Sequence, residues 1–266
     1  MNWELFNKPL QPLTPGGAAA FAGASLTRLF VVQLLFALGT AVAVLFFIST
    51  NVSTVIGDLI RQIPEEAVMS RGEIIGLGAA KPAAAAAFLS VSLSATAAVV
   101  PDRPADLDVR FGATNFSACA ILGCVTRAYD PSWTFAIGRG HMEPKWGAWK
   151  PLVYIVTALA VMTGLMIVWA AWATIYFLPV RLLAFFADRE LTIIGSWKMS
   201  GAAQMTGSLV QSVGIVLYAL RLLDLPLLAG VMALHFLVNW VYVPWALLKR
   251  PKVEKAAKVA GNPFAG

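Results

Sequence analysis

A chain of 266 residues that is 59% hydrophobic and only 13% charged, with a mean hydropathy of +0.73, is not composed like a soluble domain, in which about a quarter of residues are charged. The formal net charge of +6 sits at the two ends and in one short loop, because nine basic and nine acidic residues cancel between 51 and 151. This composition points to the membrane class and gives no reason to expect nucleic-acid binding.

In chain order, residues 1–28 read as a cytoplasmic or interfacial leader, with Trp3, Leu5, Phe6 and Leu10 suited to the membrane surface. Residues 29–50 hold the first predicted crossing. From Phe30 to Ser49 only Gln33, Thr40 and Ser49 interrupt the apolar run, and about 20 such residues span a bilayer. A cleavable signal peptide is the alternative, but the leader before the run is long and barely basic.

Residues 51–151 read as a small extracytoplasmic α+β module. Thr54 to Ile63 places Val55, Ile56, Leu59, Ile60 and Ile63 on one helical face ahead of Pro64. Glu73–Leu77, Phe88–Ala98, Leu107–Phe111, Ala118–Val125 and Trp133–Ile137 read as strands. The uncharged run Pro82–Pro101 could instead be a further crossing, paired with 111–126. The alternation of Leu89, Val91, Leu93, Ala95 and Ala97 with Ser90, Ser92, Ser94 and Thr96 favours a strand with one polar face.

The second predicted crossing, 152–178, has no charge and is flanked by Pro151 and Pro179. Tyr154, Trp172 and Tyr176 sit where aromatic anchors are expected. Residues 179–200 read as a cytoplasmic surface segment, with a surface helix over Val180–Lys198. Crossings at 201–220 and 227–248 follow, joined by a short outer turn at 221–226, and a basic cytoplasmic tail covers 249–266. The fold class expected is therefore membrane all-α, with four transmembrane helices and an inserted extracytoplasmic α+β module. Lys and Arg near the crossing ends place both termini in the cytoplasm of a bacterial inner membrane.

Cys119 and Cys124 are the only cysteines. Outside the inner membrane they meet an oxidising compartment. Opposed across a hairpin they could close a disulfide, and two buried free thiols are the alternative. A metal site is disfavoured, since His141 is the only nearby histidine and structural zinc takes four ligands. Trp133, Trp146 and Trp149 read as interfacial anchors or as a partner-docking surface.

Inside the predicted crossings, Gln204, Ser208 and Gln211 share one helical face, as do His235, Asn239 and Tyr242. Ala203, Gly207 and Gly214 are small residues that permit close helix packing. The two polar stripes either bond one another or line a path. No acidic relay, nucleophile elbow, phosphate loop, zinc-protease pair or dinucleotide fingerprint is present, so neither catalysis nor a cofactor is expected.

The segment VIGDLIRQIPEEAVMSRGEI, with Ile63-Pro64 and Arg71-Gly72-Glu73, and the run from Leu191-Thr192 to Trp197 resemble a family of uncharacterised bacterial four-helix membrane proteins of unknown function. Some of these are associated with maltodextrin utilisation, and in style they are similar to Yip-type membrane proteins. The Ala/Ser strand and the two cysteines depart from that pattern, and the resemblance implies no catalytic residues. The expected role is that of a non-catalytic accessory, assembly or scaffold subunit whose partners are membrane lipid and other membrane-protein subunits. The alternative is a small-solute transporter or channel component with its path between the last two helices.

Overall fold

The computed structural model describes residues 11–94 and 105–253. These divide into two compact units, one of residues 11–40, 161–211 and 230–253, the other of 41–94, 105–160 and 212–229. The leader residues Trp3, Leu5, Phe6 and Leu10, the strand residues 95–98 and the tail from 254 onward lie outside the described residues.

The first unit is helical. Helix α1 (Pro15–Ala20) opens with proline at its first turn, and the Thr14 hydroxyl accepts from the Gly17 N–H at 3.1 Å. Helix α2 (Leu26–Ile48) begins in this unit and runs as far as a π-helical turn, Ser49–Ser53. Helix α4 (Arg139–Phe186) has 48 residues, about 72 Å at 1.5 Å per residue. It stops where Asp188 adopts φ 51° and the Arg189 N–H bonds the Ala184 carbonyl, a Schellman closure. Helix α5 (Ile193–Ala219) is capped by Thr192, whose hydroxyl accepts from the Gly195 N–H at 2.9 Å. Helix α6 (Leu225–Leu248) starts after a second left-handed closure at Arg221 (φ 62°), and Asp224 caps it by accepting from the Leu227 N–H at 2.8 Å.

This unit exposes large apolar side chains and buries several polar ones within a mostly apolar interior. Leu34, Leu35, Phe186, Trp240 and Val241 are exposed, whereas Gln33, Ser196, Ser200, Gln204, Ser208 and Asn239 are buried. Apolar residues outside and polar residues inside make physical sense when the surroundings are hydrocarbon.

The second unit carries the sheets. Helix α3 (Thr54–Gln62) buries Val55, Leu59 and Ile60 and ends before Pro64. A three-stranded antiparallel sheet has the order β2 (Glu73–Ile75), β1 (Val68–Ser70), β8 (Phe135–Ala136). Its β1–β2 turn is Arg71-Gly72, both at positive φ (52° and 75°), the two-residue geometry whose twist matches paired strands. A side chain at 72 would also collide with the Asp130 carbonyl oxygen, 2.9 Å from where its Cβ would sit.

The second sheet has the order β3 (Ala83–Ala85), β4 (Leu89–Leu93), β5 (Leu107–Phe111), β6 (Asn115–Ala120), β7 (Gly123–Ala128). All neighbours are antiparallel except β4 and β5. Val55 and Leu59 of α3 pack on Leu89 and Val91, flanked by Leu107, Val109 and Phe111. The alternation at 89–94 predicts a strand with one apolar and one polar face. Ser90, Ser92 and Ser94 are as buried as Leu89, Val91 and Leu93.

The expectation of a membrane all-α fold with four transmembrane helices and an inserted module is overturned. Eight strands in two sheets make the described chain a mixed α and β protein. Three helical stretches, Leu26–Gln62, Arg139–Phe186 and Leu225–Leu248, are long and apolar enough to cross a membrane. Helix α5 is not among them, because Gln204, Thr206, Ser208, Gln211 and Ser212 dilute its hydropathy. Several of its residues (Met199, Ser200, Ala202, Ala203 and Met205) are fully buried instead. The predicted surface helix over Val180–Lys198 is also replaced: Leu182, Leu183, Phe185 and Phe186 form the last turns of α4, and Lys198 belongs to α5.

Candidate functional site

The sheet of the second unit ends on two different edges. At β3, the Gln62 side chain occupies the free edge of the strand. Its Nε2 donates to the Ala83 carbonyl at 3.0 Å and its Oε1 accepts from the Ala83 N–H at 3.2 Å, as a neighbouring strand would. At the other edge, all six residues of β7 are exposed. Its row of outward backbone groups has no strand beside it among the described residues.

The β6–β7 turn makes that edge rigid and apolar. Cys119 and Cys124 face each other across the two strands, and their sulfurs lie 2.07 Å apart, at bonding distance. Ile121 and Leu122 occupy the turn at 73% and 98% exposure, and Val125 on β7 is also exposed. Gly123 follows at φ 120°, a conformation suited to glycine. Ala118–Val125, read from sequence as one strand, is therefore a hairpin, with its reversal at two apolar residues that carry no turn signal.

The three tryptophans are not one cluster. Trp133 joins a ladder of rings with Tyr129 at 6.2 Å and Phe135 at 6.4 Å. Trp149 is exposed on α4, and Trp146 is half-buried against a cleft formed with α3.

The module is tied to α4 by charge. Glu65 accepts from the Gly140 N–H at 2.8 Å and from the Arg139 guanidinium at 2.8–2.9 Å, so it caps the N-terminus of that helix. The Gly140 backbone bond, then Arg139, holds the Glu65 carboxyl below its usual range. A side chain at Gly138 would lie 2.1 Å from the Glu65 carbonyl oxygen, so the two segments meet backbone to backbone. The Ser132 N–H lowers Asp130 in the same way. Tyr129 is buried, donates to the Gly112 carbonyl at 3.1 Å, and burial pushes its hydroxyl up to about 12.

In the helical unit the predicted polar stripes meet only in part. Asn239 Nδ2 donates to Gln204 Oε1 at 2.7 Å, with both side chains almost wholly buried. Gly207 permits this, since a Cβ there would lie 2.7 Å from the Asn239 amide oxygen and 2.9 Å from the His235 carbonyl oxygen. Tyr242 turns away and donates to the Pro12 carbonyl at 3.0 Å, which also accepts from Thr206 at 3.3 Å. Ser208 donates to the Met205 carbonyl on its own helix, and His235 Nδ1 lies 2.5 Å from the Met232 carbonyl oxygen. Gln211 is half-buried, while Ala203 and Gly214 are buried small residues on α5. No group of three or more His, Cys, Asp or Glu among the described residues could hold a metal ion.

The residues that carry the family resemblance turn out to be structural punctuation. Ile63-Pro64 ends α3, Arg71-Gly72 is a tight turn, and Thr192 caps α5. No family model, curated protein or solved structure matches the chain.

Proposed function

We propose that this is a non-catalytic, multi-pass protein of a bacterial inner membrane that acts as an accessory, assembly or scaffold subunit of a membrane complex. Its β-module lies outside the membrane and its N-terminus in the cytoplasm, with membrane lipid and other membrane-protein subunits as its partners. The resemblance to the membrane protein family of unknown function belongs to the same proposal. Support for the membrane placement comes from the three long apolar helices and the large apolar side chains that the helical unit exposes.

One observation carries the scaffold role: the open, disulfide-clamped edge of β7 beside the apolar tip Ile121-Leu122. An edge strand of this kind receives an extended segment of a partner through main-chain hydrogen bonds, and neighbouring side chains supply selectivity. The transport reading has less support, because Gln204 and Asn239 close on each other and the Pro12 carbonyl takes the Tyr242 hydroxyl.

The test is purification of the full chain in mild detergent from its own cells, comparing wild type with a Leu122→Asp/Val125→Lys variant. A stoichiometric co-eluting subunit that the variant loses, at unchanged yield and melting temperature, supports the scaffold role. A wild-type protein that elutes alone, or a partner indifferent to the variant, argues against it. A reconstituted solute flux that falls with His235→Ala or Asn239→Ala would favour transport.

A further inference from the structure

A cleft of about 360 Å³ lies between α3 and the first turns of α4, within the second unit. That volume is in the range of sites for small ligands. Each wall is one helical face with a glycine at its middle. On α3 the sequence is Thr54, Gly57, Asp58, Arg61, and on α4 it is Glu143, Trp146, Gly147, Lys150, both at helical i, i+3, i+4, i+7 spacing. A Cβ at Gly57 or Gly147 would meet nothing within 4 Å, so both glycines border open space in the cleft.

Its chemistry is dipolar. Glu143 has no ion-pair partner among the described residues, and Lys150 stands two turns further along α4, about 10 Å away along the axis, with its ammonium 5.9 Å from the Tyr154 ring centroid. Across the cleft Asp58 forms an ion pair with Arg61 and holds that guanidinium at the wall. Trp146 offers a flat amphipathic surface between the charges. A phosphate suits Lys150 and a primary ammonium suits Glu143, at the two ends of the α4 wall.

The position of the cleft narrows the source. Thr54 follows the apolar α2 directly after the π-helical turn, and Lys150 immediately precedes Pro151 and the uncharged stretch beginning at Leu152. If those apolar lengths lie in the bilayer, the cleft sits at headgroup depth. We propose that it binds the phosphoethanolamine headgroup of a membrane phospholipid. This inference rests on the membrane placement proposed above.

The experiment titrates full-length protein in detergent with short-chain phosphatidylethanolamine, short-chain phosphatidylglycerol and free O-phosphoethanolamine, counting adducts by native mass spectrometry. The expected result is a saturable one-to-one adduct with the ethanolamine lipid, at least tenfold tighter than with the glycerol lipid or the free headgroup. Gly147→Leu, which fills open space, and Lys150→Ala each weaken it tenfold or more. Glu143→Gln removes the preference for ethanolamine, and thermal melts confirm that each variant is folded. Equal binding of the two lipids, an adduct that survives Gly147→Leu, or equally tight binding of free O-phosphoethanolamine overturns the proposal. Alkaline carbonate extraction of the wild type separates the two readings. A protein that stays with the membrane yet forms no such adduct sinks this inference alone, whereas release from the membrane sinks the placement beneath it.

Discussion

The two edges of the five-stranded sheet have the same backbone chemistry and opposite treatment. At β3 the strand is three alanines long, and Gln62 imitates a neighbour by giving and taking one hydrogen bond with Ala83. At β7 the strand is six residues long, fully exposed, and stiffened by a disulfide beside an apolar tip. Exposed edges invite unwanted pairing, and proteins usually shorten or cover them. The proposed docking role rests on this difference between a blocked edge and an open one.

The largest effect expected concerns that open edge. Leu122→Asp with Val125→Lys should cut recovery of a co-purifying subunit at least tenfold, measured by quantitative mass spectrometry. Stability should stay within about 0.5 kcal/mol of wild type, because both positions are exposed.

Removing the clamp comes next. Cys119→Ser with Cys124→Ser should lower stability by about 2 kcal/mol, the chain-entropy value for so short a loop. A denaturant midpoint that does not move would show that the hairpin is rigid without its bridge.

Opening the guarded edge should do less. Gln62→Ala removes two exposed hydrogen bonds and should cost about 1 kcal/mol. It should also raise self-association, read by analytical ultracentrifugation, as β3 gains a free edge.

The smallest effect is in pH dependence and tests how the module is held on α4. Glu65 has a lowered folded-state value, so its contribution is complete above its unfolded value of 4.5 and is lost as pH falls through the lower folded one. Tyr129 is the opposite case: its contribution is complete below 10 and is lost as pH rises through about 12. Glu65→Gln should flatten the acid limb of a melting-temperature profile and leave the alkaline limb in place.

Much of this was legible in the residues, and the failures have identifiable physical causes. Apolar length located the three helices able to cross a membrane, and period-two alternation located β4. The alternation does not say whether the serine face is covered, and the burial of Ser90 and Ser92 is a product of tertiary folding. The opposed cysteines pointed to a hairpin over 119–124, while its turn at Ile121-Leu122 consists of two large apolar residues, the reverse of usual turn chemistry. Helical spacing anticipated the Gln204–Asn239 contact. It could not anticipate that Tyr242 would bond Pro12, 230 positions away. The clasp of Gln62 on Ala83 and the facing glycines 57 and 147 are likewise products of tertiary folding and leave no periodic trace. Helix α5 matches the other predicted crossings in length and falls short of them in hydropathy through its five polar side chains.

The central claim is that β7, and not β3, receives a partner. A photo-crosslinking amino acid placed at Val125, and separately at the exposed Ala85 of β3, tests it in intact cells of the source organism. One discrete adduct of constant mass is expected from position 125 and none from position 85. Adducts from both positions alike, or from neither, would contradict it.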